Sequence, residues 1–150
     1  MTHENYMNEA LALAREAAEH GEVPVGCVIV RGGEIIGRGR NRREEKRSTA
    51  SHAEMEAIAA ANEALGSWRL DDCTLYVTLE PCPMCAGAII NARIPYVYYG
   101  ARDESMGACG GVLNLFMEGF PNTPALVGGI CGEECRKVLE QFFRKLRELT

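Results

Sequence analysis

TLYVTLEPCPMCAGAIINARIPYVYY, residues 74–99, decides the fold. Its opening alternates, with Leu75, Val77 and Leu79 set against Tyr76 and Thr78, the period of two that marks a strand. Pro81-Cys82-Pro83 breaks the alternation, and a helix is expected after it through Ala92. Tyr96 to Tyr99 reads as a second strand that stops at Gly100. Two strands joined by one helix must lie parallel, through a right-handed crossover.

Working outward, residues 5–20 place Met7, Leu11, Ala14 and Ala18 at helical spacing, and Gly21 follows as a stop. Val25 to Val30 is a short β-branched strand, and Arg31-Gly32-Gly33-Glu34 turns it into Ile35-Ile36. Gly37 and Gly39 either weaken this second strand or mark a close backbone approach. Residues 41–50 read as a polar loop, and 51–65 as an alanine-rich helix ended by Gly66. Residues 101–124 are mostly loop, with a short helix near Leu113 to Met117, then a last strand at Ala125 to Val127. A helix from Glu133 to Leu149 turns Val138, Leu139, Phe142 and Leu146 inward. The order is α-β-β-α-β-α-β-β-α, which predicts an α/β fold: three layers, α/β/α, around one mixed sheet of about five strands.

With 150 residues and no repeat, low-complexity stretch or linker, the chain reads as a single domain, 1–150. A composition 47% hydrophobic and 25% charged excludes disordered, collagen-like and coiled-coil classes. No apolar run approaches the roughly 20 residues that cross a bilayer. Met1 to Ala10 is polar and acidic, unlike a signal peptide, so the expected compartment is cytoplasmic, with no membrane contact. Nothing marks a further protein partner.

The formal net charge of -5 argues against nucleic acid, but its distribution is uneven. Residues 31–50 hold seven Lys/Arg (Arg31, Arg38, Arg40, Arg42, Arg43, Lys46, Arg47) against three Glu. Residues 136–150 hold five (Arg136, Lys137, Arg144, Lys145, Arg147) against two. Such tracts are compatible with phosphate contact, but on charge alone solvated loop and helix faces are the preferred reading, because basic runs are common on surfaces.

Seven cysteines without an export signal read as thiols or metal ligands rather than as a disulfide framework. Cys82 and Cys85, on the first turn of a helix, can face one ion, and the helix N-terminus favours their thiolates. Alone they also fit a redox dithiol or half of a structural zinc site. Cys27, Cys73, Cys109, Cys131 and Cys135 read as small buried side chains. Of three histidines, His3 lies near a frayed terminus and His20 beside a helix end, which leaves His52 as a third ligand. Three protein ligands leave a fourth zinc position open, the pattern of a catalytic site. Glu54 has two readings. Ser51-His52-Ala53-Glu54 fits a capping box, and the same carboxylate could serve as an acid/base beside the metal.

His-x-Glu followed by Pro-Cys-x-x-Cys resembles the signature of the zinc-dependent nucleobase deaminases. The likeness extends to Gly21-Glu22-Val23-Pro24-Val25-Gly26, Asn41, Leu75 through Ile89, Gly100-Ala101-Arg102-Asp103 and Phe142-Phe143-Arg144. On these residues the chain, from about residue 6 to 147, is similar to the bacterial tRNA-specific adenosine deaminases of the cytidine/deoxycytidylate deaminase superfamily. The segment Met106-Gly107-Ala108-Cys109-Gly110-Gly111 only approximates that family's Gly-Ala-Ala-Gly-Ser pattern.

The resemblance implies a cytidine-deaminase-like fold and hydrolytic conversion of adenosine to inosine at the wobble position of a tRNA anticodon loop. Zn2+ would be held by His52, Cys82 and Cys85, its bound hydroxide would attack, and Glu54 would shuttle the proton. Backbone near Ala53 and Cys82 would donate N–H groups to the developing charge. Asn41 would bind the nucleoside, with Val25, Leu79 and Pro81 walling the flipped base. Asp103 with the 101–107 loop would hold flanking nucleotides, and the 142–147 end, Phe143 included, would close over the anticodon stem-loop. The basic 38–47 and 136–147 stretches would contact phosphates, and a homodimer is expected. The nearest alternative is a guanine- or cytosine-type small-molecule deaminase on the same scaffold. A zinc-stabilised RNA-binding module and a dithiol redox protein are more distant ones.

Overall fold

The computed structural model describes all 150 residues, Met1–Thr150. Five strands form one mixed sheet in the order β2-β1-β3-β4-β5. They are β1 (Gly26–Arg31), β2 (Glu34–Arg40), β3 (Cys73–Leu79), β4 (Tyr96–Ala101) and β5 (Ala125–Val127). β1 runs antiparallel to both β2 and β3, whereas β3, β4 and β5 run parallel. The 74–99 stretch therefore folds as expected, with α4 (Pro83–Ala92) bridging the parallel pair.

Strand alternation sorts the core into two layers. Cys27, Ile29, Leu75, Val77 and Val97 face α3 (Ala53–Leu65) and α4, meeting Ala57, Ala61, Ala86 and Ile89. On the reverse face Val28, Val30 and Tyr76 meet Met7, Ala10 and Leu11 of α1 (His3–Glu19), with Cys135 of α5 (Gly132–Glu148). That is the predicted α/β/α arrangement.

Five details differ from the sequence reading or decide between the alternatives it left open. β2 continues through both glycines to Arg40, because the strand and α3 are in backbone contact there; a Cβ on Gly39 would strike the carbonyl oxygen of Ala53. The polar loop holds a short helix, α2 (Arg43–Lys46). His3 is not frayed: its Nδ1 lies 2.6 Å from the Tyr76 hydroxyl, and its ring stacks on Tyr98. On α5, Cys135 is the one buried residue; Leu146, expected inside, is 47% exposed because the helix runs past the sheet. Cys131 is only half-buried and sits in a left-handed conformation before that helix. No helix is long and apolar enough to cross a membrane.

Candidate active site

α3 and α4 are each preceded by a candidate metal donor in extended backbone. His52 caps α3 (φ -84°, ψ 157°) and Cys82 caps α4 (φ -78°, ψ 173°), with Pro83 filling the first helical position. Neither side chain makes a capping hydrogen bond to its own helix. The loop before α3 is closed by the Arg42 N–H donating to the Ser51 carbonyl at 3.0 Å.

These two helix starts converge. His52 Nδ1 lies 3.6 Å from Cys82 Sγ and 3.6 Å from Cys85 Sγ. A tetrahedral zinc with Zn–S near 2.3 Å and Zn–N near 2.0 Å has N···S edges of about 3.5 Å, so the donor set fits that ion. All seven cysteines are free thiols, and no other cluster of His, Cys, Asp and Glu gathers this way. Cys27, Cys73, Cys109 and Cys135 are buried, as expected of packing residues.

Electrostatics bind the cluster together. Cys82, accepting from the Cys85 thiol and paired with His52, is held down to about 4. Cys85 is driven well above the thiol range by the adjoining Cys82 thiolate and by burial. His52 is raised, chiefly by its hydrogen bond to Cys82. Glu54, 4% exposed, is pushed up to about 7 by burial, with the Cys82 charge adding to the rise.

A cavity of about 640 Å³ opens over this floor. Nine of the residues singled out in the sequence line it: His52, Ala53, Glu54 and Cys82 at the base, Val25, Asn41 and Leu79 on the walls, Asp103 and Phe143 at the mouth. Cys85 lies beneath, fully buried. Pro81 is not brought to the cavity: it is buried, and its carbonyl accepts from the Ala108 N–H at 2.8 Å. Asn41 spends its amide on the backbone, donating to the Val23 carbonyl and accepting from the Arg43 N–H.

Residues assigned no individual role at the site from sequence also line it, among them Val23, Arg43, Glu104, Met106 and Leu139. Their signal was regional: Arg43 lies in the basic 38–47 tract, Glu104 and Met106 in the 101–107 loop. A second recess of about 480 Å³ adjoins the first, sharing Arg43 and His52 and adding Arg47, Ser48 and Thr49.

The model of the MafB19-like deaminase family matches residues 1–147. The tRNA-specific adenosine deaminase of Bacillus subtilis (strain 168) is 49% identical over 146 residues, covering 97% of this chain and 91% of that protein. A chain from a study of A-to-I editing by tRNA:A34 deaminases at the wobble position superposes with a TM-score of 0.86 at 43% identity, over 90% of this chain and 99% of that one. Guanine deaminase from Bacillus subtilis superposes with a TM-score of 0.66 at 40% identity, over 83% and 80% respectively. A deaminase signature folded around one donor cluster and a family match across nearly every residue agree, and the chain belongs to the MafB19-like deaminase family.

Proposed function

We propose that this chain hydrolyses adenosine to inosine at the wobble position of a tRNA anticodon loop, as one domain spanning 1–150. The observation that carries the substrate is likeness over full length: 49% identity across 97% of this chain to a tRNA-specific adenosine deaminase. The guanine deaminase reading rests on the weaker likeness, 40% identity over 83% of this chain against 49% over 97%.

His52, Cys82 and Cys85 would hold zinc, which when bound lowers the pKa of a coordinated water and so supplies a nucleophile at neutral pH. Glu54 takes a proton from the attacking water, delivers it to N1 of adenine, and aids departure of ammonia from C6. Its raised pKa suits both directions of transfer near neutrality. Val25 and Leu79 pack the base, and Ala53 offers backbone at the start of α3. Asn41 is a wall residue whose bonds to Val23 and Arg43 keep the ribose side in shape. Asp103 and Phe143 meet the flanking nucleotides. An anticodon base is already unstacked or easily splayed, so extrusion costs little. A tRNA substrate implies a cytoplasmic enzyme. Exposed Val112, Leu113, Met117 and Phe120 favour burial against a second copy in a homodimer.

The test sets zinc-loaded enzyme against an anticodon stem-loop, free guanine and cytidine in parallel. Inosine in the stem-loop is expected; ammonia from guanine with an untouched stem-loop would move the assignment to the small-molecule class.

A further inference from the structure

Two buried glutamates take no part in that chemistry. Glu80, between β3 and the Cys82 cap, is 2% exposed. Its Oε1 accepts from the Asp103 N–H at 3.1 Å, and its Oε2 accepts from the Cys109 N–H at 2.9 Å and the Gly111 N–H at 2.8 Å. The segment wraps so tightly that a Cβ on Gly107 would strike the same carboxylate. That segment carries Asp103, Glu104, Ser105 and Met106, one wall of the cavity. Across from it Glu22, also 2% exposed, accepts from the Glu44 and Glu45 N–H groups at 3.1 and 2.7 Å, in the loop that bears Arg43. Every partner of both carboxylates is main chain.

We propose that Glu80 is a positioning residue: it pins the 103–111 wall of the cavity and thereby sets how the enzyme grips the nucleotides beside the reacting adenosine. Glu22 pins the opposing wall. The nucleotide part rests on the tRNA reading above. A carboxylate suits this work because it only accepts, with about four lone-pair sites for the three converging N–H groups. An amide of the same shape must turn its NH2 toward one of them, and a buried N–H without an acceptor is costly. The wall lies beside the reacting atoms rather than on them, so its loosening falls on binding more than on turnover.

Zinc-loaded Glu80→Gln is compared with wild type in two ways. Amide hydrogen exchange reads the anchor itself: Asp103, Cys109 and Gly111 should exchange about tenfold faster or more, with β3 and α3 still protected. Kinetics on stem-loops varied at the neighbouring bases read the consequence. KM should rise about tenfold or more, kcat should fall by less than about threefold, and discrimination among neighbouring bases should shrink. Unaltered exchange at the three amides, or an equal loss on every stem-loop at constant KM, would overturn the proposal. Should the variant fail to fold, wild type decides: those amides must be protected in the holoenzyme, and peptide-like exchange refutes the anchor. Wild type inert on every stem-loop would sink the substrate reading and the nucleotide part together, while exchange still judges the anchor.

Discussion

Glu54 stands two residues after a proposed metal donor, a spacing that in a regular helix turns side chains about 200° apart. The pair shares one site because His52 precedes the helix in extended backbone. That placement also removes the capping box: the cap is His52 rather than Ser51, and the Ser51 hydroxyl instead meets Glu56 at 3.5 Å. Glu54 is therefore free for proton transfer. Glu54→Gln should keep its fold and zinc and lose activity by about a hundredfold or more; metal analysis with initial rates checks both, and near-native rates would remove Glu54 from the mechanism. Cys82 offers a pH test in protein stripped of metal. Its thiol sits at about 4 when folded against an ordinary 9.0, so between those values the unfolded chain binds the extra proton. The stabilisation is complete above about pH 9, shrinks as pH falls, and is gone below about 4. The stability gap between metal-free wild type and Cys82→Ser should grow from pH 4 to 9 in urea unfolding. A gap independent of pH would refute the thiolate. Triad and glutamate were legible because each motif is local. Glu80 was not, because its partners lie 23 to 31 residues away in an irregular loop.

Among the elements, the second strand shows what pattern alone leaves open. Glycine at 37 and 39 reads the same whether a strand fails or a helix presses against it. Here α3 presses: Ala57 and Ala53 carbonyls occupy the space a Cβ would need. Gly39→Ala must push α3 outward, and overpacking of this kind costs about 1–3 kcal/mol. Because His52 caps that helix, zinc affinity should fall along with the melting temperature. Calorimetry and competitive zinc titration check the pair, and unchanged values for both would show that the contact yields cheaply. The central β-α-β unit was readable because alternation, a proline break and alanine-rich spacing all agree. α5 was readable in extent but not in burial, since its apolar stripe continues after the sheet beneath it has ended.

Over the whole molecule, charge was legible as tracts but not as pairs. Within 38–47, Arg40 and Arg42 both reach Glu45, Lys46 reaches Glu56, and Arg38 reaches Glu9. Arg43 has only a 3.9 Å contact with Glu44, and Arg47 has no ion pair; both line the recess beside His52. A cation already paired releases few counterions, so the salt dependence of stem-loop binding should follow the free ones. Arg43→Ala and Arg47→Ala should each lower the log Kd against log salt slope by about 1, with Arg42→Ala nearly silent. Equal slopes for all three would mean that the ion pairs open on RNA.

The last turns of α5 have a separate consequence. Beyond Phe142 no side chain is buried, and Arg144, Lys145 and Arg147 punctuate that stretch. Helical segments held by so few apolar contacts open at little cost. Trace trypsin would nick there first, on the far side of Phe143, trimming the cationic tip while the sulfur-imidazole floor stays whole. A clipped enzyme of that kind separates, in one preparation, how tightly a polyanion is held from how fast its base is turned over.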